Sequence, residues 1–353
     1  MNQMKSPRIL IVRLSAIGDV IHTMPVACAL RERFPECRLT WVAEERAGEV
    51  LQHHAALDDL ILLRHGWLKR PLTVWRLRRR LRAIRPEIAI DAQGLTRSAI
   101  VAWLSGAGRR IAPGGIFARE LSPWLNTELV AADDLHAVDR GLKLLVPLGI
   151  ESPAVRFQVP DPPAERAAAE AILGAAGLGA GFILIVPAAG WPSKLWPAER
   201  YAAVAAQAGR RLRLPSLVMW GNAEEQSRAR HIVAGAEGFA RLAPPVTLLE
   251  LAALARRATF CLGSDTGPLH LAAAVGTRCI GLYGPWPAEK HGPYGPGHIT
   301  VQKMVFQGST RQRRHAPPIY MEAIDVASVL AACQRVAAEK GVKIESPLPP
   351  GEG

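Results

Sequence analysis

Apolar residues along the chain fall into short continuous runs separated by longer stretches of helical periodicity. Residues 8–14 form the first strand-length run, and residues 19–34 then repeat apolar positions at helical spacing. Further runs lie at 39–42, 60–63 and 88–91, the last leading into the turn Ala92-Gln93-Gly94. After the Pro-rich segment Val159-Pro160-Asp161-Pro162-Pro163 the rhythm restarts, with strands predicted at 182–186, 216–219, 259–262 and 279–283. Helices are predicted at 198–211, 223–233, 248–257 and 321–338, with a short small-residue helix over 271–275. Strands that alternate with helices imply parallel, doubly wound sheets, because a parallel pair needs a crossover and buries both of its faces. The pattern therefore predicts an α/β chain of two Rossmann-like domains, 1–160 and 161–340, facing a central cleft, with a disordered tail at 341–353. The last helix is a candidate to pack back on the N-terminal domain. Ligands in such folds gather at the carboxyl ends of the strands.

Composition sharpens this. The 353 residues are 49% apolar and 21% charged, as in a globular protein with room for two cores. Cys28, Cys37, Cys261, Cys279 and Cys333 are scattered without metal-ligand spacing, so they read as buried small hydrophobes in a reducing compartment, with the cytoplasm the best fit. The first residues lack the pattern of a signal peptide, and no apolar stretch reaches the roughly 18 residues of a membrane span. A net charge of +12 favours anionic partners. Residues 64–85 carry nine basic and no acidic side chains, while Val74, Leu77, Leu81 and Ile84 recur at helical spacing. A basic amphipathic helix follows, either a core-packed helix with a solvated face or a surface for phospholipid helped by Trp67 and Trp75. Nucleic acid is disfavoured, because zinc-finger, KH and RRM signatures are missing.

Chemistry concentrates at strand-to-helix turns. The first, Arg13-Leu14-Ser15-Ala16-Ile17-Gly18-Asp19, has one glycine and not the G-x-G-x-x-G of a dinucleotide site, so a nicotinamide or flavin cofactor lacks support. Asp19 there is an N-cap or a general base. Lys194 precedes a helix and suits an anion. Glu224 and Glu225 follow Trp220-Gly221-Asn222, where one carboxylate can meet ribose hydroxyls while the other caps the helix. Ser264-Asp265-Thr266-Gly267-Pro268-Leu269-His270 joins a strand to a helix, and its backbone N–H groups and N-cap side chains either cap that helix or cradle phosphate.

Taken in order, residues 15–25, Asp91-Ala92-Gln93-Gly94, Lys194-Leu195-Trp196-Pro197, Trp220-Gly221 and residues 264–270 resemble the lipopolysaccharide heptosyltransferases of glycosyltransferase family 9. The resemblance implies the GT-B fold and an inverting, metal-independent enzyme without a cofactor. It places the general base on Asp19 and the donor diphosphate on Lys194, Asp265, Thr266 and Gly267, with His270 nearby and Glu225 at the ribose. Among subfamilies the chain is most similar to heptosyltransferase I, which implies transfer of L-glycero-D-manno-heptose from ADP-heptose to Kdo of Kdo2-lipid A. Acceptor contacts then fall on Gly18, Arg64, Arg119 and His136, and the basic helix faces an anionic glycolipid in peripheral contact with the cytoplasmic face of the inner membrane. The loop Ala188-Ala189-Gly190-Trp191-Pro192 is apolar where that subfamily carries threonines and acids, and residues 267–270 resemble the wider family more. Three alternatives therefore stand beside it: heptosyltransferase II or another family 9 transfer, a GT-B-like nucleotide-sugar epimerase, and a non-catalytic protein binding nucleotide or anionic lipid.

Overall fold

Arg8–Val12 (β1) has Ile9 to Val12 fully buried, as a strand covered on both faces must. In the computed structural model, which describes residues 6–131, 135–179 and 181–342, β1 lies inside a six-stranded sheet. Its companions are β2 (Arg38–Glu44), β3 (Asp59–Leu63), β4 (Ile88–Asp91), β5 (Arg109–Pro113) and β6 (Glu128–Val130). The order is β3-β2-β1-β4-β5-β6 and every pairing is parallel. This sheet belongs to the first of two compact units, Met1–Pro160 and Asp161–Gly353.

The second unit has its own sheet of β7 (Ile183–Val186), β8 (Ser216–Val218), β9 (Ala240–Leu242), β10 (Phe260–Ser264), β11 (Cys279–Tyr283) and β12 (Ile299–Gln302). Its order is β12-β11-β10-β7-β8-β9, again parallel throughout. Counted within its unit, each sheet runs 3-2-1-4-5-6, the doubly wound nucleotide-binding order.

Helices connect and flank the strands. In the first unit they are α1 (Ile17–Arg33), α2 (Pro71–Ile84), α3 (Thr96–Ser105) and α4 (Ala137–Lys143). In the second they are α5 (Pro163–Ala176), α6 (Ala198–Leu212), α7 (Ala223–Gly235), α8 (Leu248–Arg257), α9 (Gly267–Ala274), α10 (Thr310–Arg314) and α11 (Val326–Glu339). Leu77 and Leu81 of α2 seat that helix against Leu10, Val12 and Val42, leaving its arginines outward. In the second unit Trp196 and Tyr201 meet edge to face at 4.8 Å, and the Trp196 indole N–H donates to Ile324 O at 2.9 Å. This bond ties the segment before α11 to the core.

Several elements differ from the pattern-based expectation. The strands β5, β6, β9 and β12 escape the apolar-run criterion because they are short, lie toward the edges, or carry polar residues such as Arg109, Arg110 and Glu128. The expected helix over 321–338 is two elements, a short turn Ile319–Glu322 and then α11, which starts where Asp325 accepts from Ser328 N at 2.7 Å. The α11 helix packs on α6, β11 and β12 of its own unit. Trp67, counted with Trp75 as a lipid-facing residue, is buried in the core. The tail expected at 341–353 lies outside the described residues from 343 onward. All five cysteines are free and buried, and no helix among the described residues is long and apolar enough to cross a membrane.

Close approach at Gly263 of β10 lets that strand lie against β7. A Cβ there would stand 2.4 Å from Val186 Cγ2 and 2.6 Å from Val186 O. Gly263→Ala is expected to destabilise the fold by about 1–3 kcal/mol through overpacking, seen as a lower urea midpoint at unchanged slope.

Candidate active site

Parallel register brings two loops of the first unit together. Val12 pairs with Asp91, so the turn after β1 runs beside the turn after β4. Asp91 Oδ1 accepts from the N–H groups of Gln93 and Gly94 at 3.1 Å each, and Oδ2 accepts from Asn126 Nδ2 at 3.2 Å. Burial pushes the Asp91 carboxyl up, while its hydrogen bonds to Ser98, Gly94, Gln93 and Asn126 pull it back. The turn it shapes then grips the other loop, with Gln93 Oε1 accepting from Leu14 N at 3.0 Å and Arg13 donating to Ala92 O. Asp91-Ala92-Gln93-Gly94 is thus a bracket for Arg13.

Arg13 in turn pairs with Asp19 Oδ1 at 2.8 Å, and Asp19 Oδ2 accepts from Ala16 N at 3.1 Å. Asp19 is the third residue of α1, so its carboxylate folds back over the helix start from inside the first turn and does not occupy the N-cap. It is 43% exposed and opens on a recess lined also by Arg13, His22, Thr23 and Arg140. His136 heads α4, its Nδ1 accepting from Val138 N at 3.2 Å, and its ring stands edge-on to His22 with centroids 5.4 Å apart. Arg140 lies over the Phe117 ring at 3.9 Å. The recess offers one carboxylate able to take a proton and cations able to meet an anionic group. Gly18 is in the first turn of α1, Arg64 is exposed and pairs with Glu45 at 3.3 Å, and exposed Arg119 donates its backbone N–H to Gly94 O. Neither arginine lines the recess.

Register does the same work in the second unit, where Gly263 pairs with Val186 and sets the loop after β7 beside the end of β10. Lys194, at the end of the single turn Pro192–Lys194, reaches Asp265 Oδ2 at 2.5 Å. His270 Nε2 donates to Asp265 Oδ1 at 3.0 Å. Asp265 is 9% exposed, and burial alone would push its carboxyl up. The Lys194 charge and the His270 hydrogen bond overcome this and hold it well below the usual carboxylate range. Lys194 Nζ also sits 4.5 Å from the Trp286 ring centre.

This geometry corrects the reading of the turn. The helix after β10 starts at Gly267, four residues before the expected 271, so Gly267 to His270 are helical. Thr266 is the N-cap residue, yet its side chain makes no cap bond, and its Oγ1 is buried without a hydrogen-bond partner. Asp265 turns to Lys194 and His270 and does not cap. The α9 N-terminus, the Thr266 hydroxyl and Lys194 therefore present donors toward an anion. Asn222 is the N-cap of α7, its Oδ1 accepting from Glu225 N at 3.0 Å, and the Glu225 carboxylate braces that turn from inside the helix, with Oε2 accepting from Gly221 N at 2.7 Å and Oε1 from Asn222 Nδ2 at 2.8 Å. Sequence reasoning assigned neither Arg13 nor Trp286 to a site, because Arg13 meets Asp19 six positions on and Trp286 meets Lys194 across 92 positions.

Two Rossmann-order sheets in one chain, each with polar groups at its strand ends, are the build of the GT-B fold. The chain's fold matches the glycosyl transferase family 9 structure from Veillonella parvula with a TM-score of 0.83 at 23% identity, covering 94% of this chain and 98% of that one. The model of glycosyltransferase family 9 (heptosyltransferase) matches residues 74–317. Lipopolysaccharide heptosyltransferase 1 of Pseudomonas aeruginosa is 30% identical over 83% of this chain and 82% of its own length. The E. coli heptosyltransferase WaaC, solved with ADP, is 25% identical with a TM-score of 0.75, over 93% of this chain and 99% of that one. The chain belongs to glycosyltransferase family 9, the heptosyltransferases of lipopolysaccharide synthesis.

Because the folded-state Asp265 carboxyl lies below its unfolded value, its pair stabilises the protein above the unfolded carboxylate pKa, and that stability is lost as pH falls toward the lower folded value. Asp265→Asn is expected to cost about 3 kcal/mol at pH 7 by leaving Lys194 unpaired. In denaturation series the gap to wild type should narrow below about pH 4.

Proposed function

We propose that the chain transfers L-glycero-D-manno-heptose from ADP-heptose to a Kdo hydroxyl of Kdo2-lipid A with inversion at the anomeric carbon. The observation that carries this reading is the Lys194–Asp265–His270 cluster at the start of α9, beside the unbonded Thr266 hydroxyl, in a family relative of which is solved with ADP. Asp19 takes the proton of the acceptor hydroxyl, and that oxygen forms its bond to the anomeric carbon as the bond to the donor diphosphate breaks. Arg13 orients the Asp19 carboxylate. Lys194, Thr266, Gly267 and the α9 N-terminus receive the charge growing on departing ADP, with Asp265 and His270 fixing Lys194. Glu225 and its turn stand for the ribose contact. On the acceptor side the contacts are Gly18 and His136 beside the recess, with Arg64 and Arg119 outside it meeting more distant anionic groups of the glycolipid.

The acceptor is lipid-linked, and α2 suits a peripheral contact with the cytoplasmic face of the inner membrane. It carries Arg76, Arg78, Arg79 and Arg80 outward with Leu72 and Trp75 more than half exposed. A second reading, transfer of another sugar or to another acceptor as in heptosyltransferase II, is favoured by the apolar loop Ala188-Ala189-Gly190-Trp191-Pro192 ahead of Lys194.

The purified protein incubated with ADP-heptose and Kdo2-lipid A should give a product heavier by one heptose in mass spectrometry. Asp19→Asn should lower turnover by about 10²- to 10⁴-fold with ADP affinity kept, and wild-type rates in that variant would sink the assignment of the base. A panel of other nucleotide sugars decides between the two readings.

Vesicle sedimentation tests the membrane contact. Binding to anionic phospholipid should weaken as salt rises and fall further when Arg76, Arg79 and Arg80 are all changed to Glu. Equal binding to neutral and anionic vesicles counts against it.

A further inference from the structure

The Lys194 charge is shared with Asp265, so the cluster as a whole offers a nucleoside diphosphate little net positive charge. A diphosphate leaving group needs cations that are not already matched by carboxylates. The segment after β12 supplies them. Its short helix α10 packs directly on the Pro192–Lys194 turn and carries Arg313 and Arg314. The Arg313 guanidinium lies 5.9 Å from the centre of the Trp286 ring, the ring that Lys194 approaches at 4.5 Å. Arg314 lies 4.4 Å from the ring centre of Trp191, in the loop leading to Lys194.

Among the described residues neither arginine pairs with a carboxylate, and the Nε of each is buried without a hydrogen-bond partner. Three further donors around the same turn are buried and unbonded: Ser193 Oγ, Thr266 Oγ1 and the Trp286 indole Nε1, on residues 4%, 9% and 9% exposed. So many unmet polar groups around one turn cost free energy unless a polyanion meets them. The Trp286 loop is itself braced, since Gln302 Nε2 donates to Gly284 O and Trp286 O at 2.8 Å each.

We propose that Arg313 and Arg314, with the indole N–H of Trp286, form a second cationic wall of the nucleoside-diphosphate site and bind the diphosphate of the donor opposite the α9 cradle. The inference rests on the reading of the Lys194 cluster as the donor site. It assigns the arginine-rich segment 311–314 to leaving-group binding. Guanidinium groups held over indole rings are pre-aimed and grip phosphate oxygens in pairs, which favours a diphosphate over a monophosphate or a bare nucleoside.

Calorimetric titration of the full chain with ADP, AMP and adenosine tests this. Arg313→Ala and Arg314→Ala should each weaken ADP binding about tenfold, with adenosine affinity unchanged as the control for an intact fold. The double Arg→Lys variant, which keeps charge and loses the planar fork, should fall between wild type and the double Arg→Ala variant. The salt dependence of ADP binding should be shallower in the double Arg→Ala variant than in wild type. ADP binding that Lys194→Ala weakens but both arginine variants leave untouched overturns the second wall alone. Wild-type protein that binds no ADP overturns the donor-site reading and this inference together.

Discussion

Every strand pairing in both sheets is parallel, and from that constraint the sites follow. A parallel pair cannot be closed by a tight hairpin, so each strand must end in a loop that leads to a crossover, and these loops collect at the carboxyl edge of the sheet. The registers Val12 with Asp91 and Val186 with Gly263 then decide which loops touch. In the first unit the neighbours are the Arg13 turn and the Asp91 bracket; in the second they are the Lys194 turn and Asp265.

The two sites use the same ion-pair chemistry at different depths. Asp19 is nearly half exposed, so its pair with Arg13 contributes about 0–1 kcal/mol and serves mainly to aim a carboxylate that stays reachable. Asp265 is almost fully buried, and a carboxylate in that position must be matched. Lys194 and His270 match it, and as a result the lysine is held rigidly at the mouth of α9. Its positive charge is correspondingly muted, which gives the nearby arginines their weight.

Family membership constrains the chemistry more tightly than it constrains the substrate. The groups proposed to meet the sugar diphosphate, Lys194, Asp265, Thr266 and the first turn of α9, sit together in one unit. Features that would choose among donors lie in loops: the apolar 188–192 segment and the arginine-bearing segment after β12. Loops are where a shared scaffold changes specificity without disturbing its core. The basic face of α2, packed through Leu77 and Leu81, can likewise vary without disturbing the sheet beneath it.

Much of the scaffold was legible along the chain. Buried parallel strands such as β1, β4, β7 and β11 appear as continuous apolar runs, and α2 and α6 show a helical stripe, because burial on two faces or one is written locally in residue spacing. Edge strands such as β6 and β9, stabilised by a neighbour and not by their own apolar content, were not legible. The order of motifs named Asp19, Lys194 and the Asp265 turn as site residues and identified the family. Only tertiary structure decided that Asp265 pairs with Lys194 instead of capping α9, that Asn222 caps α7 with Glu225 bracing its turn, that Trp67 is core, that Arg13 pairs with Asp19, and that the Arg313–Arg314 helix packs on the Lys194 turn. Those outcomes depend on register and on contacts between residues far apart in sequence, and no local pattern of hydrophobic and polar positions encodes them.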